Sequence, residues 1–331
     1  MPCPSFIQAM PAAEPDLSIV VPAKDEAESL PKLADQIRSA CEGAGLSFEV
    51  WIIDDGSRDG SWEVIEHIHE SDPRFAGIRF KRNYGKAAAL AVGFERVRGR
   101  YVATLDADLQ DDPAELPEMI EMLRGGLDVV SGWKQKRNDP WEKKLPSRFF
   151  NAVTRKISGI KLHDFNSGIK VYRRDVVKSV HLYGELHRYI PVLAKWEGYG
   201  RIGEKPVVHR RREYGRSKFG MERYIRGFLD LISVVFMTRF AARPMHFFGG
   251  IGTLAFFFGF LILFWLSFDK LVLGNPIGSR PLLFLGMLLM LFGAQMFTTG
   301  LLGEMIVRPR MEHTSAYQVA ATLEPVSELA A

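Results

Sequence analysis

The sequence predicts an α/β protein with a mixed, mainly parallel sheet, followed by an amphipathic interfacial helix and two transmembrane helices. Three observations carry this. Short apolar runs alternate with helix-period segments up to about residue 131, at the spacing of right-handed βαβ units. Two of those runs end in grouped carboxylates, Asp54-Asp55 and Asp106-Ala107-Asp108, as expected where ligands bind outside the carboxyl ends of strands. Phe247–Phe268 and Pro281–Gly303 carry no charge, and each is long enough to cross a bilayer core as a helix.

In chain order, residues 1–16 are rich in Pro and Ala without periodicity and read as a flexible tail. Leu17–Val21 is the first strand and Pro22–Glu26 the loop after it; Leu30, Leu33 and Ile37 then mark a helix with one apolar face. Phe48–Ile53 is a second strand, closed by Asp54-Asp55-Gly56-Ser57, and Trp62, Ile65 and Ile68 mark the next helix. Ile78–Phe80 is a brief strand, Arg82–Lys86 leads into an Ala-rich helix to about Val97, and Tyr101–Leu105 is a buried strand. A helix over Pro113–Arg124 and a strand over Asp128–Ser131 complete the first half; a further strand is expected at Ile169–Tyr172.

The bulk numbers set bounds. A chain of 331 residues allows about two domains. We divide it into a catalytic domain at 17–220, a juxtamembrane helix at 221–244, the two spans within 245–304, and a tail at 305–331. The net charge of +4 is mildly basic. Its excess gathers before the first apolar run, which favours a membrane surface or a phosphate over nucleic acid. Cys3 and Cys41 give neither a disulfide framework nor a cysteine metal site and suit a reducing compartment. No cationic flank and apolar core open the chain, so no cleavable signal peptide is expected. Over Met221–Ala242, apolar residues such as Tyr224, Phe228 and Val235 share one helical face and Glu222, Arg226 and Asp230 the other. Pro244 then breaks the helix. Arg210 to Arg243 precede the first span and Arg308 and Arg310 follow the second, while the connecting loop holds only Lys270 and Arg280 against Asp269. The positive-inside rule then places the catalytic domain and both termini on the cytoplasmic side of the cytoplasmic (inner) membrane.

The chemistry centres on Tyr101–Pro113, YVATLDADLQDDP. Residues i and i+2 of an extended backbone point the same way, so Asp106 and Asp108 can offer oxygens to one point. With Gln110 they suit Mg²⁺ or Mn²⁺, the other positions going to phosphate oxygens or water. The bland reading is an acidic loop capping the helix at Pro113. No G-x-G-x-x-G follows the first strand and no G-x-x-x-x-G-K-[ST] occurs, which argues against a dinucleotide fold of the dehydrogenase type and against a P-loop nucleotidase. Asp25 and Glu26 can accept hydrogen bonds from a base or ribose, whereas Asp54-Asp55-Gly56-Ser57 alone reads as an ordinary turn.

VVPAKDEAESL, IIDDGSRDGS, RNYGKAAALAVGF and LDADLQDDP, in that order and spacing, resemble a family 2 glycosyltransferase of the GT-A fold. Within it the chain is similar to the dolichyl- or polyprenyl-phosphate sugar synthases, over residues 17–220. The resemblance implies that Pro22, Ala23 and Glu26 line the nucleotide pocket, that Asp54 faces the base with Asp55 in the same loop, and that Lys86, Asp106, Ala107 and Asp108 lie at the donor. It implies that Asp106, Asp108 and Gln110 bind the metal holding the diphosphate, with Asp108 essential to catalysis. Arg137 and Arg148 resemble the arginines that grip the lipid phosphate. Arg216 and Lys218, in Tyr214–Phe219, look like the family's Gly-x-Ser-Lys stretch over donor and acceptor phosphates; Arg210–Arg212 read as solvated or headgroup-facing charges. Asp164 is the one candidate base, against a turn residue orienting Asn166 and Arg173. Here the chain departs from members that carry Asp-Phe-Arg, reading Asp-Phe-Asn-Ser-Gly.

The implied reaction is inverting transfer from a UDP- or GDP-sugar to a polyprenyl phosphate. The second pKa of a phosphate monoester is about 6, so this nucleophile needs no general base. The alternatives are transfer to a hydroxyl of a lipid-linked glycan, or a non-catalytic membrane protein that binds nucleotide sugars. Homo-oligomerisation is left open.

Overall fold

A computed structural model describes residues 14–135, 151–208 except 153, 157, 183 and 185, residue 210, and 244–313 except 279. The amphipathic stretch at 221–242 and the arginines and lysine at 137, 148, 216 and 218 lie outside the described residues. The chain forms two compact units, Met1–Leu231 and Ile232–Ala331.

The first unit is built on a seven-stranded sheet of order β3-β2-β1-β4-β6-β5-β7. Its strands are β1 (Leu17–Ala23), β2 (Phe48–Asp54), β3 (Phe75–Arg79), β4 (Tyr101–Thr104), β5 (Val129–Lys134), β6 (Lys170–Arg173) and β7 (Ile202–Val207). β3, β2, β1 and β4 run parallel, β6 runs antiparallel to both β4 and β5, and β7 is parallel to β5. Helices α1 (Leu30–Gly43), α2 (Ser61–Ser71), α3 (Lys86–Arg96), α4 (Leu116–Arg124), α5 (Arg174–Ser179) and α6 (Ile190–Trp196) cover the sheet.

Both faces are buried, which is why the strands read as continuous apolar runs. On one face Leu17, Ile19 and Val21 of β1 pack with Leu33 and Ile37 of α1, Ile65 of α2, and Leu116 and Ile120 of α4. On the other, Val20 and Val102 meet Leu90 and Phe94 of α3, Val176 of α5 and Ile190 of α6. Each such aliphatic side chain contributes about 1.5–3 kcal/mol by leaving water. Asp112 caps a 3₁₀ turn at Pro113–Glu115 by accepting from the Ala114 amide, and α4 follows. The single helix expected from Pro113 is therefore two elements. The third strand lies at Phe75–Arg79, earlier than expected, because its residues pair with Val50–Asp54. β7, α5 and α6 went unforeseen.

At the amino ends of the strands, Glu49 accepts from the Ser18 hydroxyl at 2.7 Å and from Arg98 at 2.8 Å. Burial pushes its carboxyl up, but these bonds outweigh that and hold it below the usual range. The Ser18 hydroxyl accepts from Gly99 at 2.7 Å, so the starts of β1, β2 and β4 are tied together.

The second unit contains α7 (Pro244–Leu271) and α8 (Pro281–His313). Both are long and apolar enough to cross a membrane, and only 17% and 11% of their most apolar windows are buried. The outward surface is aromatic and aliphatic, with Phe257, Phe264, Leu288 and Leu291 more than half exposed. The helices meet along glycines seven residues apart. A Cβ on Gly252 would stand 2.7 Å from the Gly293 carbonyl oxygen, and one on Gly259 would stand 2.7 Å from that of Gly286. Small residues of this kind let backbones approach in a medium where apolar burial against lipid gains little. Asp269 closes the turn, accepting from Asn275 at 2.9 Å and pairing with Arg280.

Candidate active site

The strand order reverses at β1, between β2 and β4, so a crevice opens at the carboxyl ends of these three parallel strands. On its β2 side the acidic loop is engaged by its neighbours. Asp54 is fully buried; one oxygen accepts from the Ser57 amide at 2.8 Å, and the other lies 3.5 Å from Arg79 Nε. Asp55 accepts from the Tyr84 amide at 2.6 Å and the Gly85 amide at 3.0 Å, so it ties the loop that enters α3. Gly56 has φ of 68°, and a Cβ there would stand 2.5 Å from the Arg82 carbonyl carbon. Only glycine fits such a backbone-to-backbone approach.

The β1 loop joins the same wall. Asp25 accepts from the Arg58 amide at 2.9 Å, and the Glu26 amide donates to the Ser61 hydroxyl at 2.9 Å. Glu26 also accepts from the Ser29 hydroxyl at 3.0 Å, while Pro22 and Ala23 form the end of β1. Together the three loops enclose a cleft of about 560 Å³. Lys24, Arg58, Arg79, Lys81 and Arg82 line it against the single carboxylate of Asp25, a balance that suits a phosphate-bearing ligand.

On the other side of the crevice, β4 ends at Thr104. The i, i+2 alternation of a strand therefore does not extend to Asp106 and Asp108, which lie in the loop beyond it, Asp108 in a turn. Leu109 in that turn has φ of 60°, a conformation uncommon for a residue with a Cβ and met most often at functional sites. Asp108 accepts from the Gln110 amide at 3.2 Å, and the Gln110 carbonyl accepts from the Arg210 amide at 2.9 Å. Buried Ala107 packs between the two acids in sequence.

Asp106 is bonded by Lys86, with side-chain exposures of 32% and 33%. Burial pushes its carboxyl up, but Lys86, and behind it Lys134 and Lys170, hold it down at about 2. Its Oδ2 crowds Gly168: a Cβ there would stand 2.5 Å from Asp106 Oδ2 and 2.5 Å from Asp111 Oδ2. Asp111 is buried and pairs with Lys134 at 2.9 Å. Lys170 lies in the floor, flanked in register by Thr104 and Ser131, and bonds the Ser167 carbonyl. Burial, then Lys86, lowers its pKa to about 8 against the pull of Asp164 and Asp106. His187 lies in the same field. Burial first, then Lys86, Arg188 and Lys170, holds its pKa well below the usual histidine range, so the ring is neutral near pH 7.

Asp164 is buried, and its carboxylate accepts from the Asn166 amide at 3.0 Å, as a turn residue does. Arg173 is not part of that turn; it sits at the far end of β6, 3.9 Å from Asp128. Next to Asp164 in sequence, His163 stacks on Trp133 with ring centroids 4.2 Å apart and bonds Glu204.

The structure thus brings Lys86, Asp106, Asp108, Gln110 and Asp164 to one edge of the sheet. Asp111, Lys134, Gly168 and Lys170 join them without having been singled out. Lys134 ends a strand that runs three residues beyond the one expected at Asp128–Ser131, and Asp111 sat in the loop read as a helix cap. The others carried no signal, because the reversed direction of β6 was not legible. Among the described residues no group of three or more His, Cys, Asp or Glu side chains stands at metal-binding spacing. The donors at hand are hard oxygens on Asp106 and Asp108, with Gln110 next to them. They fit a divalent cation that takes the rest of its shell from a ligand's phosphate oxygens and from water.

Comparison with known proteins agrees with this architecture. The model of glycosyl transferase family 2 matches residues 18–180. The chain is 41% identical over 302 residues to the dodecaprenyl-phosphate galacturonate synthase of Rhizobium johnstonii, covering 90% of this chain and 89% of that one. It is 36% identical over 295 residues to the undecaprenyl-phosphate 4-deoxy-4-formamido-L-arabinose transferase of Pseudomonas paraeruginosa, covering 88% and 85%. Among solved structures, glucosyl-3-phosphoglycerate synthase from Mycobacterium tuberculosis in complex with uridine diphosphate superposes with a TM-score of 0.53 at 19% identity, over 68% of this chain and 80% of that one. That likeness fixes the GT-A-like fold. The order of strands, the acids at their carboxyl ends and two near-full-length relatives converge on one conclusion: the chain is a glycosyltransferase that belongs to glycosyl transferase family 2.

Proposed function

We propose that the protein transfers a sugar from a nucleoside diphosphate sugar to a polyprenyl phosphate at the cytoplasmic face of a membrane, with inversion at the anomeric carbon. The observation that carries this is the extent of the two relatives. Both are named for polyprenyl-phosphate substrates and align over nearly nine-tenths of the chain, the apolar helices included. A catalytic domain at 17–220, a juxtamembrane helix at 221–244 and a two-span anchor follow from the same reading.

The cationic cleft between the β1, β2 and β3 loops takes the nucleotide. Asp55 keeps the loop before α3 against that cleft and so fixes where Lys86 starts. Asp106, Asp108 and Gln110 would hold Mg²⁺ or Mn²⁺, which when bound supplies positive charge to the diphosphate as it departs. Lys86 adds a further cation at the same point. The lipid phosphate attacks from the opposite side, already ionised at pH 7, with Arg137, Arg148, Arg216 and Lys218 as its counter-charges. Asp164 then serves as the turn that sets the acceptor edge; no residue has to remove a proton.

The test is a screen of the purified full-length protein with radiolabelled UDP- and GDP-sugars and undecaprenyl phosphate. One donor should deliver label to the lipid phosphate. Label appearing only on sugar-terminated acceptors, or on none with any donor, would overturn the reading.

A further inference from the structure

We propose that Lys86 is an internal counter-ion competing with the divalent cation for Asp106, so that the metal seats fully only after the nucleotide's diphosphate has drawn Lys86 away. This rests on the metal-dependent reading above. The two oxygens of Asp106 are not equivalent. Oδ2 faces the floor, against Gly168 and beside Asp111 Oδ2. Oδ1 is the oxygen that Lys86 Nζ bonds. A cation approaching from the crevice therefore meets an oxygen that already has a charge-assisted partner.

Of the three lysines in the cluster, Lys86 is the one built to move. Lys134 is 12% exposed and tied to Asp111, and Lys170 is 3% exposed and bonded to the Ser167 carbonyl. Lys86 is 33% exposed and starts α3 just after Gly85, whose φ is 93°. Asp55 fixes the backbone of residues 84 and 85. The main chain is thus held while the four-carbon stem is free to swing from a carboxylate to a phosphate. Donor and metal binding become coupled, and linkage makes the coupling reciprocal. The cation is then weakly held without donor, and the donor gains affinity from its presence.

The experiment titrates Mn²⁺, followed by electron paramagnetic resonance, into detergent-solubilised full-length wild type and Lys86→Met. Each is measured alone and with UDP or GDP, after subtracting Mn²⁺–nucleotide association in solution. Without nucleotide, Lys86→Met should bind Mn²⁺ about tenfold more tightly, the order expected for losing one partly buried charge-assisted partner. With nucleotide the two proteins should converge, so the factor by which nucleotide tightens Mn²⁺ binding falls about tenfold in the variant. An unchanged factor would overturn the proposal, because Lys86 would then act only through its field. Equal affinities without nucleotide, in a wild type that does bind Mn²⁺ with nucleotide, would overturn the proposal and leave the metal-dependent reading standing. No Mn²⁺ binding to either protein with either nucleotide would overturn both.

Discussion

Gly168→Ala offers the sharpest test of the site because its geometry is simple. Gly168 is outside the left-handed region, so alanine meets no backbone penalty. The added Cβ would stand 2.5 Å from Asp106 Oδ2, 2.5 Å from Asp111 Oδ2 and 2.7 Å from Asp106 Cγ. Ordinary carbon–oxygen contact begins at about 3.4 Å, so relieving either contact takes a shift of roughly 0.9 Å. Asp111 is buried and held by Lys134, which leaves Asp106 as the group that gives way. A misplacement of about 1 Å at a catalytic centre costs on the order of 100-fold in rate, while overpacking costs about 1–3 kcal/mol of stability. We expect kcat/KM for sugar transfer to fall about 100-fold, and Mn²⁺ affinity with it, in a protein that stays folded. Gly200→Ala, where a Cβ meets nothing within 4 Å, is the control and should match wild type. The measurement is initial transfer rate beside thermal unfolding of both variants. Activity of Gly168→Ala within threefold of wild type would refute the placement of Asp106 at the reacting centre.

Three further outcomes follow from other parts of the molecule. Asp108→Ala should abolish transfer in a protein that remains membrane-bound and folded, and excess chelator should do the same to wild type; normal turnover in either case would remove the metal from the mechanism. Gly293→Leu would put its Cβ 2.5 Å from the Phe256 amide nitrogen and 2.6 Å from the Gly252 carbonyl oxygen, forcing α7 and α8 apart; the melting temperature in detergent should drop, and an unchanged one would contradict the hairpin packing. Asp72 is held at about 2, first by the Arg74 hydrogen bond, then by further bonds from the Arg74 amide and Arg38. A lowered carboxyl pKa stabilises above the unfolded value of 3.8 and loses that stability as pH falls through about 2. Because Arg74 is 41% exposed, screening reduces the contribution to about 1–2 kcal/mol. Asp72→Asn should thus lower the melting temperature at pH 7 but not near pH 2, and a deficit of equal size at both would argue against it.

The parallel half of the sheet was legible because βαβ units repeat one signature. Leu17, Ile19 and Val21 mark a buried strand, and the acids that follow Phe48–Ile53 and Tyr101–Leu105 fall at strand ends by the same rule. The half containing β5, β6 and β7 was not. Lys170–Arg173 is only four residues long, and its reversal depends on pairing with Tyr101–Thr104 and Val129–Ser131, a non-local fact. Asp111 looked like part of a helix cap; its burial, its pairing with Lys134 and its closeness to Gly168 set it apart from Asp112, which does cap. The clustering of Lys86, Lys134 and Lys170 likewise joins the start of a helix, the end of β5 and the start of β6.

The direction of β6 has a consequence for how such a protein can change. In a sheet whose strands all pointed one way, everything reaching the working rim would have to follow a strand. Here His163 to Gly168 reach it by preceding one, arriving beside Thr104 from the opposite sense. Lys134, which ends β5, and Lys170, which begins β6, are consequently the two points at which the connection between these strands joins the sheet. The length and composition of that connection can drift without shifting the pairing among β1, β2, β3 and β4. New chemistry can therefore enter through that one connection while the parallel half of the sheet is inherited intact.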